Sequence, residues 1–186
     1  MFERLTIPDV FLFRPKRFGD DRGFFQETFN RASMEPMTGP LEWVQDNHSR
    51  SNPKGVVRGL HFQAPPFAQD KLVRCVRGAI LDVAVDLRLG SPTFGEHVAV
   101  RLSSDGAEQA FVPKGFAHGF ATLEEGCEVV YKVSNYYSAA HDRGLRWNDP
   151  ALAIDWGLAD SDAILSPKDA AAPMLAELPA FFRYGG

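Results

Sequence analysis

The 186-residue chain is poor in cysteine, with only Cys75 and Cys127. Two thiols cannot make a disulfide-stapled scaffold, and a chain of this length buries about 70% of its unfolded surface without one. An apolar leader is also lacking, because Pro8, Arg14, Lys16 and Arg17 interrupt every short apolar run near the N-terminus. The thiols are therefore expected to be buried and reduced, and the protein to be cytoplasmic. No stretch approaches the roughly 18 apolar residues of a membrane-spanning helix, so no membrane partner is expected. Excess positive charge is missing too. The formal net charge is -4, which argues against non-specific nucleic-acid binding as the main task. Repeats, low-complexity tracts and linkers are absent, so residues 1–186 are expected to form a single domain. Helical signals are few. One or two turns are predicted over 30–35, and a short C-terminal helix over 172–178, with Pro173 near its start.

What the chain does have is aromatic and turn residues: 15 phenylalanines, 16 glycines and 13 prolines. Short strands between turns fit that composition. Strands are predicted over 43–49, 55–63, 72–76, 81–87, 97–102, 109–112, 116–122 and 128–133. The clearest period-two signal is Leu81, Val83, Val85 and Leu87 alternating with Asp82, Ala84 and Asp86. Strands at about ten-residue spacing with turns between them imply an all-β sandwich or barrel. Charge is uneven along the chain. Between Arg50 and Arg77 lie Arg50, Lys54, Arg58, Lys71, Arg74 and Arg77 against the single acid Asp70. Such a stretch is either a solvated basic edge or a local site for an anionic small molecule.

Two segments carry the chemistry. In the first, Gly55 is followed after five residues by His61-Phe62-Gln63, and Lys71 is followed after six by Gly78. The second is Pro113-Lys114-Gly115-Phe116-Ala117-His118-Gly119. In this order they resemble the two motifs of the cupin superfamily, which implies a double-stranded jelly roll with polar side chains pointing into the barrel. A metal-binding cupin has a second histidine where this chain has Gln63, and a glutamate where it has Lys71. An ammonium has three donors and no lone pair for a metal. No metal and no other cofactor is therefore expected, and Lys71 is read as supplying the positive charge a metal supplies elsewhere.

The resemblance then narrows. Arg22-Gly23-Phe24-Phe25-Gln26-Glu27, Gln45-Asp46-Asn47-His48-Ser49 and Arg58-Gly59-Leu60-His61-Phe62-Gln63 occur in order. They are followed by Asp86-Leu87-Arg88, Pro113 to Phe120, Tyr131-Lys132, Trp147-Asn148-Asp149-Pro150 and Leu165-Ser166-Pro167-Lys168-Asp169. Over about residues 14–168 the chain resembles the dTDP-4-dehydrorhamnose 3,5-epimerase family. That resemblance implies a dTDP-4-keto-6-deoxy sugar as substrate, inverted at C3 and C5 by removing protons next to the C4 ketone. Such a reaction needs a base near neutral pKa, a cation or donor at the ketone oxygen, and an acid on the far face.

By resemblance His61 is the base and Asp169 its orienting partner. Lys71 and His118 stabilise the enolate, and Tyr131 is the acid. An imidazole has an ordinary pKa near 6.5 and a phenol near 10, which suits those tasks. Arg58 and Arg22 suit a pyrophosphate. Gln45, Asn47 and Lys168 complete the polar contacts, and Tyr137 stacks on the thymine with Asp142 nearby, where the family commonly has glutamate. Arg22, Phe25 and Glu27 are expected to reach a neighbouring subunit's site through exchanged N-terminal strands, which implies a homodimer. Other readings stay open at this stage: a single-position 3- or 5-epimerase, a 3,4-ketoisomerase, a nucleotide-sugar sensor without turnover, and a metal-dependent cupin. Gln63 and Lys71 argue against the last of these.

Overall fold

A computed structural model describes residues 1–185. The chain begins with β1 (Phe2–Arg4), β2 (Phe11–Phe13), the hairpin β3 (Arg17–Asp20) and β4 (Gly23–Gln26), and helix α1 (Arg31–Thr38). The central strands are β5 (Gln45–Ser51), β6 (Val57–Gln63), β7 (Lys71–Arg77), β8 (Ala79–Asp86) and β9 (Arg88–Leu89). They continue as β10 (His97–Ser103), β11 (Gln109–Val112), β12 (Phe116–Thr122) and β13 (Cys127–Val133). Last come β14 (Asp142–Gly144), helix α2 (Pro167–Ala170) and β15 (Phe182–Arg183).

Two antiparallel sheets form a jelly roll, one ordered β1-β2-β11-β7-β13-β5 and the other β10-β8-β12-β6-β14. Their facing sides enclose Val73, Cys75, Ile80, Leu102, Phe120 and Val129. Outside the first sheet, α1 brings Met34 against Phe11, Phe13, Leu72 and Phe111. Outside the second, the long C-terminal segment lays Leu145, Trp147, Leu152 and Trp156 on Val57, Leu60, Phe62, Val83 and Val85. Among the described residues no helix is long and apolar enough to cross a membrane.

That C-terminal cover changes the meaning of the alternation in β8. A period-two strand ordinarily has a wet face. Here Asp82 and Asp86 are as buried as Val83 and Val85, because one face meets the C-terminal cover and the other the barrel interior. Asp86 ends the strand by accepting from Arg88, Ser91 and Thr93. Asp82 points toward His118.

The predicted strands all occur, with ends shifted by a few residues. The first helix runs further than expected, over Arg31–Thr38, with Asn30 as its cap accepting from the Ala32 N–H at 3.0 Å. The expected helix over 172–178 is absent. Only a single 3-10 turn, Leu175–Glu177, occurs there, and the true helix is Pro167–Ala170. The apolar side chains of that stretch, Leu175 and Leu178, are taken up by packing on the second sheet as part of a covering strap. Cys75 and Cys127 are buried and unbridged, each donating to backbone carbonyls.

The β6–β12 pair sets the centre of the barrel. His61 lies directly opposite His118 in register, with a bulge just beyond. Gly59 has φ +107°, and a Cβ there would sit 2.7 Å from the His118 carbonyl oxygen. A Cβ on Gly119 would sit 2.6 Å from the Arg58 carbonyl oxygen. Glycine is required at both, because the two backbones approach too closely for side chains.

Candidate active site

His61 and His118 share the inner face of the second sheet. Leu60 and Phe62, on either side of His61, belong to the outer face, so alternation sends the imidazole inward. Its Nε2 lies 2.5 Å from Asp169 Oδ1. A carboxylate there holds the Nε2–H tautomer and leaves the Nδ1 lone pair free to take a proton. Asp169 stands in the first turn of α2, with Ser166 as N-cap and Pro167 at the first helical position. Ser166 Oγ donates to Asp169 Oδ2 at 2.9 Å and accepts from the Asp169 N–H at 3.1 Å. The aspartate is thus a helix-start residue and the histidine's partner at once. Burial pushes its carboxyl up, but the hydrogen bonds from His61, Ser166 and the Gly59 N–H outweigh it and hold the group below its ordinary range.

His118 is buried, with Nε2 2.8 Å from Asp82 Oδ2. Lys71 enters from the first sheet and is 8% exposed. Its Nζ donates to the His61 carbonyl at 3.3 Å. Burial pushes the amine down to about 8, with the carboxylates of Asp82 and Asp142 pulling the other way. Tyr131, on β13, packs on the interior cluster from the first sheet. Burial and Asp142 raise its phenol against the pull of Arg58, so it is a hydrogen donor at neutral pH. Sheets that pack face to face stand about 10 Å apart. His61 stands on the second sheet and Tyr131 on the first.

The open edge of the barrel lies between β5 and β14. There Arg58 Nε donates to Ser51 Oγ and its Nη2 to the Arg50 carbonyl, both at 3.0 Å. Asn47 is opposite Tyr131 in register and accepts at Oδ1 from Gln45 Nε2 at 2.8 Å. Tyr137 donates from its hydroxyl to Asp142 Oδ2 at 3.1 Å, and Lys168 is ion-paired to the same carboxylate. The basic stretch read from the sequence is divided by strand alternation: Lys71 is buried inside, while Arg50, Lys54 and Arg77 are exposed on the outside.

Arg22, Phe25 and Glu27 are not with this group within one chain. They are exposed, Arg22 and Phe25 on the β3–β4 hairpin and Glu27 just beyond its end, and Arg22 pairs with Asp20 at 2.5 Å. Among the described residues the hairpin's strands pair only with each other, and it is tied back through Arg17 to the Ser104 and Asp105 carbonyls. Sequence reasoning missed Asp82 and Ser166 as supporting residues. The signal for Ser166 was present, since Ser-Pro two residues before an aspartate is a helix start. Asp82 was visible only as the polar half of an alternation.

A resident metal, such as a metal-dependent cupin holds, does not fit these residues. Both histidines spend Nε2 on aspartates, Lys71 brings a cation, and Gln63 spends its amide on the Tyr136 and Ser138 backbone.

A carboxylate-backed imidazole on one sheet and a phenol on the other are groups that acid–base chemistry uses, and the scaffold that carries them is a two-sheet jelly roll. The family model for dTDP-4-dehydrorhamnose 3,5-epimerase matches residues 4–177. The chain belongs to that family and is an isomerase. It is 53% identical over 176 residues to a dTDP-4-dehydrorhamnose 3,5-epimerase of Escherichia coli, covering 94% of each chain. To the protein of that name from Sinorhizobium fredii it is 51% identical over 183 residues, covering 98% of this chain and 93% of the other. The fold matches a dTDP-6-deoxy-D-glucose-3,5-epimerase from Legionella pneumophila, solved in complex with dTDP-4-keto-L-rhamnose. That match has a TM-score of 0.95 and 44% identity, over 100% of this chain and 99% of the other.

Proposed function

We propose that this enzyme inverts C3 and C5 of dTDP-4-dehydro-6-deoxy-D-glucose to give dTDP-4-dehydro-L-rhamnose. The observation that carries this reading is the placing of His61 and Tyr131 on opposite sheets across one barrel. Inversion requires a proton to leave one face of the sugar and another to arrive on the opposite face. His61 takes the proton beside the ketone at Nδ1 while Asp169 stabilises the imidazolium. Lys71 and His118 balance the charge that develops on the ketone oxygen, in a site dry enough for a single cation to count heavily. Tyr131 delivers the proton on the far face. Arg58, Asn47, Gln45, Tyr137, Asp142 and Lys168, gathered at the open edge, hold the nucleotide end of the substrate.

The protein works as one jelly-roll domain paired in a homodimer and is cytoplasmic, with a nucleotide sugar rather than a nucleic acid as its ligand. The dimer reading is supported by the β3–β4 hairpin, which leaves Phe18, Phe24 and Phe25 53%, 63% and 71% exposed. Phe18 and Phe25 are cross-strand partners on one face of the hairpin and Phe24 lies on the other, so both faces carry exposed aromatic surface that calls for cover. Exchange of this hairpin would carry Arg22, Phe25 and Glu27 to the partner's cavity and cover those rings. The chemistry is tested by incubating the protein with dTDP-4-keto-6-deoxyglucose in heavy water and locating the label. Deuterium at both C3 and C5 with the L-rhamno product is the expected result. Label and inversion at one carbon only would make it a single-position epimerase.

A further inference from the structure

Two glutamines, one from each sheet, hold three successive residues of the loop between β13 and β14. Gln63, on β6, donates from Nε2 to the Tyr136 carbonyl at 3.0 Å and accepts at Oε1 from the Ser138 N–H at 3.1 Å. Gln45, on β5, accepts from the Tyr137 N–H at 3.1 Å. The loop thereby bridges the open edge of the barrel from one sheet to the other. Gln63 is 4% exposed, whereas the Tyr137 ring that the loop carries is 57% exposed. Asp142, which accepts from the Tyr137 hydroxyl, lies directly opposite Gln63 in the β6–β14 register. Both polar ends of the Gln63 amide are spent on the loop backbone, so this side chain has no hydrogen-bonding capacity directed at a ligand except the second lone pair of its oxygen and one amide hydrogen.

We propose that Gln63 is a positioning residue for the nucleotide end of the substrate. It fixes the backbone of Tyr136–Ser138 before binding, so that the Tyr137 ring is already presented at the mouth, and it does so without touching the reacting sugar. This rests on the reading above, in which Tyr137 meets the nucleotide base. The physical reason is preorganisation. A loop held in its binding geometry by internal hydrogen bonds loses little further freedom when the ligand arrives, and a loop released from them must be ordered by the ligand. Gln63 is suited to this because one amide offers a donor and an acceptor side by side, matching a carbonyl and an N–H two residues apart. Asparagine is one methylene too short to reach both.

Gln63→Met keeps the length and burial of the side chain and removes both hydrogen bonds. Gln63→Asn keeps the amide and loses the reach, and serves if the first variant folds poorly. Three measurements are made on the full-length protein: dTDP binding by calorimetry, steady-state kinetics with dTDP-4-keto-6-deoxyglucose, and amide hydrogen exchange without ligand. Both variants should bind dTDP about 10–100-fold more weakly and raise KM to match, with kcat within about threefold of wild type. Exchange at the Tyr137 and Ser138 amides should accelerate while the amides of β6 and β12 stay protected. In a Tyr137→Ala background, Gln63→Met should change dTDP affinity less than about twofold, because the ring through which it acts is gone. Unchanged affinity, a full effect in the Tyr137→Ala background, or a collapse of kcat at constant KM would each overturn the proposal. Wild-type protein that does not bind dTDP would sink the nucleotide reading, and the exchange data would still decide whether Gln63 fixes the loop.

Discussion

Lys71 is the buried group whose electrostatic cost can be read directly from a titration. Its amine falls from an ordinary 10.5 to about 8 because burial disfavours the charged form more than Asp82 and Asp142 favour it. The unfolded chain keeps its ordinary value, so between pH 8 and 10.5 it binds more protons at this position than the folded protein does. Folding stability must then rise with pH across that window. For these two values the gain attributable to Lys71 between pH 7 and pH 10 is about 2–3 kcal/mol. Lys71→Met removes the group at similar length. Denaturant unfolding of both proteins at pH 7 and pH 10 cancels every other titration to first order. The advantage of the methionine variant over wild type, whatever its value at pH 7, should shrink by about 2–3 kcal/mol at pH 10. The same variant should lose about 10²–10³ in turnover, the usual loss when a group stabilising an oxyanion is removed. Wild-type activity should decline as pH rises past about 8, since a neutral amine no longer balances the enolate. A stability difference that is the same at both pH values would show that the amine is not desolvated and would refute the reasoning.

His61→Ala should cost roughly 10²–10⁴ in solvent deuterium exchange while dTDP binding, measured by calorimetry, survives; collapse of dTDP affinity with high residual turnover would make His61 a folding or binding residue. Asp169 is held below its ordinary value of 3.8, so its contribution to stability is complete above about pH 4 and is lost as pH falls through the folded pKa. Asp169→Asn should flatten the acid side of the stability profile, and an unchanged profile in acid denaturation would count against the His61 contact. Tyr131→Phe should let label wash into the substrate with little inversion, at a stability cost of about 0.5–1.5 kcal/mol for one lost hydroxyl. Inversion at the wild-type rate in a combined mass and stereochemical assay would assign the far-face proton to another donor. Chelator treatment followed by metal analysis should leave the rate unchanged; activity lost on chelation and restored by a stoichiometric metal would overturn the donor-set argument built on Lys71 and Gln63.

Much of this protein was legible along the chain. The strands from Gln45 to Val133 follow from local alternation and turn residues, because a strand's faces are set by a period of two whatever it pairs with. The two histidine segments could be recognised because the spacing of His61 from Gly55 and of His118 from Pro113 and Gly115 resembles two known motifs, while the close β6–β12 approach at Gly59 and Gly119 shows only in the structure. The lysine at position 71 already indicated a cation where a metal ligand would otherwise stand. What the chain could not reveal was which side of each strand is wet. The alternation in β8 separates Asp82 and Asp86 from Val83 and Val85 but does not say that both sets are buried, which follows from the C-terminal segment covering the outer face of the second sheet. Residues 172–178 read as a helix with Pro173 near its start, whereas only a 3-10 turn forms there and Leu175 and Leu178 pack on the sheet. The partnerships of His61 with Asp169, His118 with Asp82, and Gln63 with the Tyr136–Ser138 loop span 108, 36 and up to 75 residues. Nothing local specifies contacts of that separation. They exist because two sheets closing on one barrel bring distant strands within hydrogen-bonding reach, and only the tertiary structure decides which pairs those are.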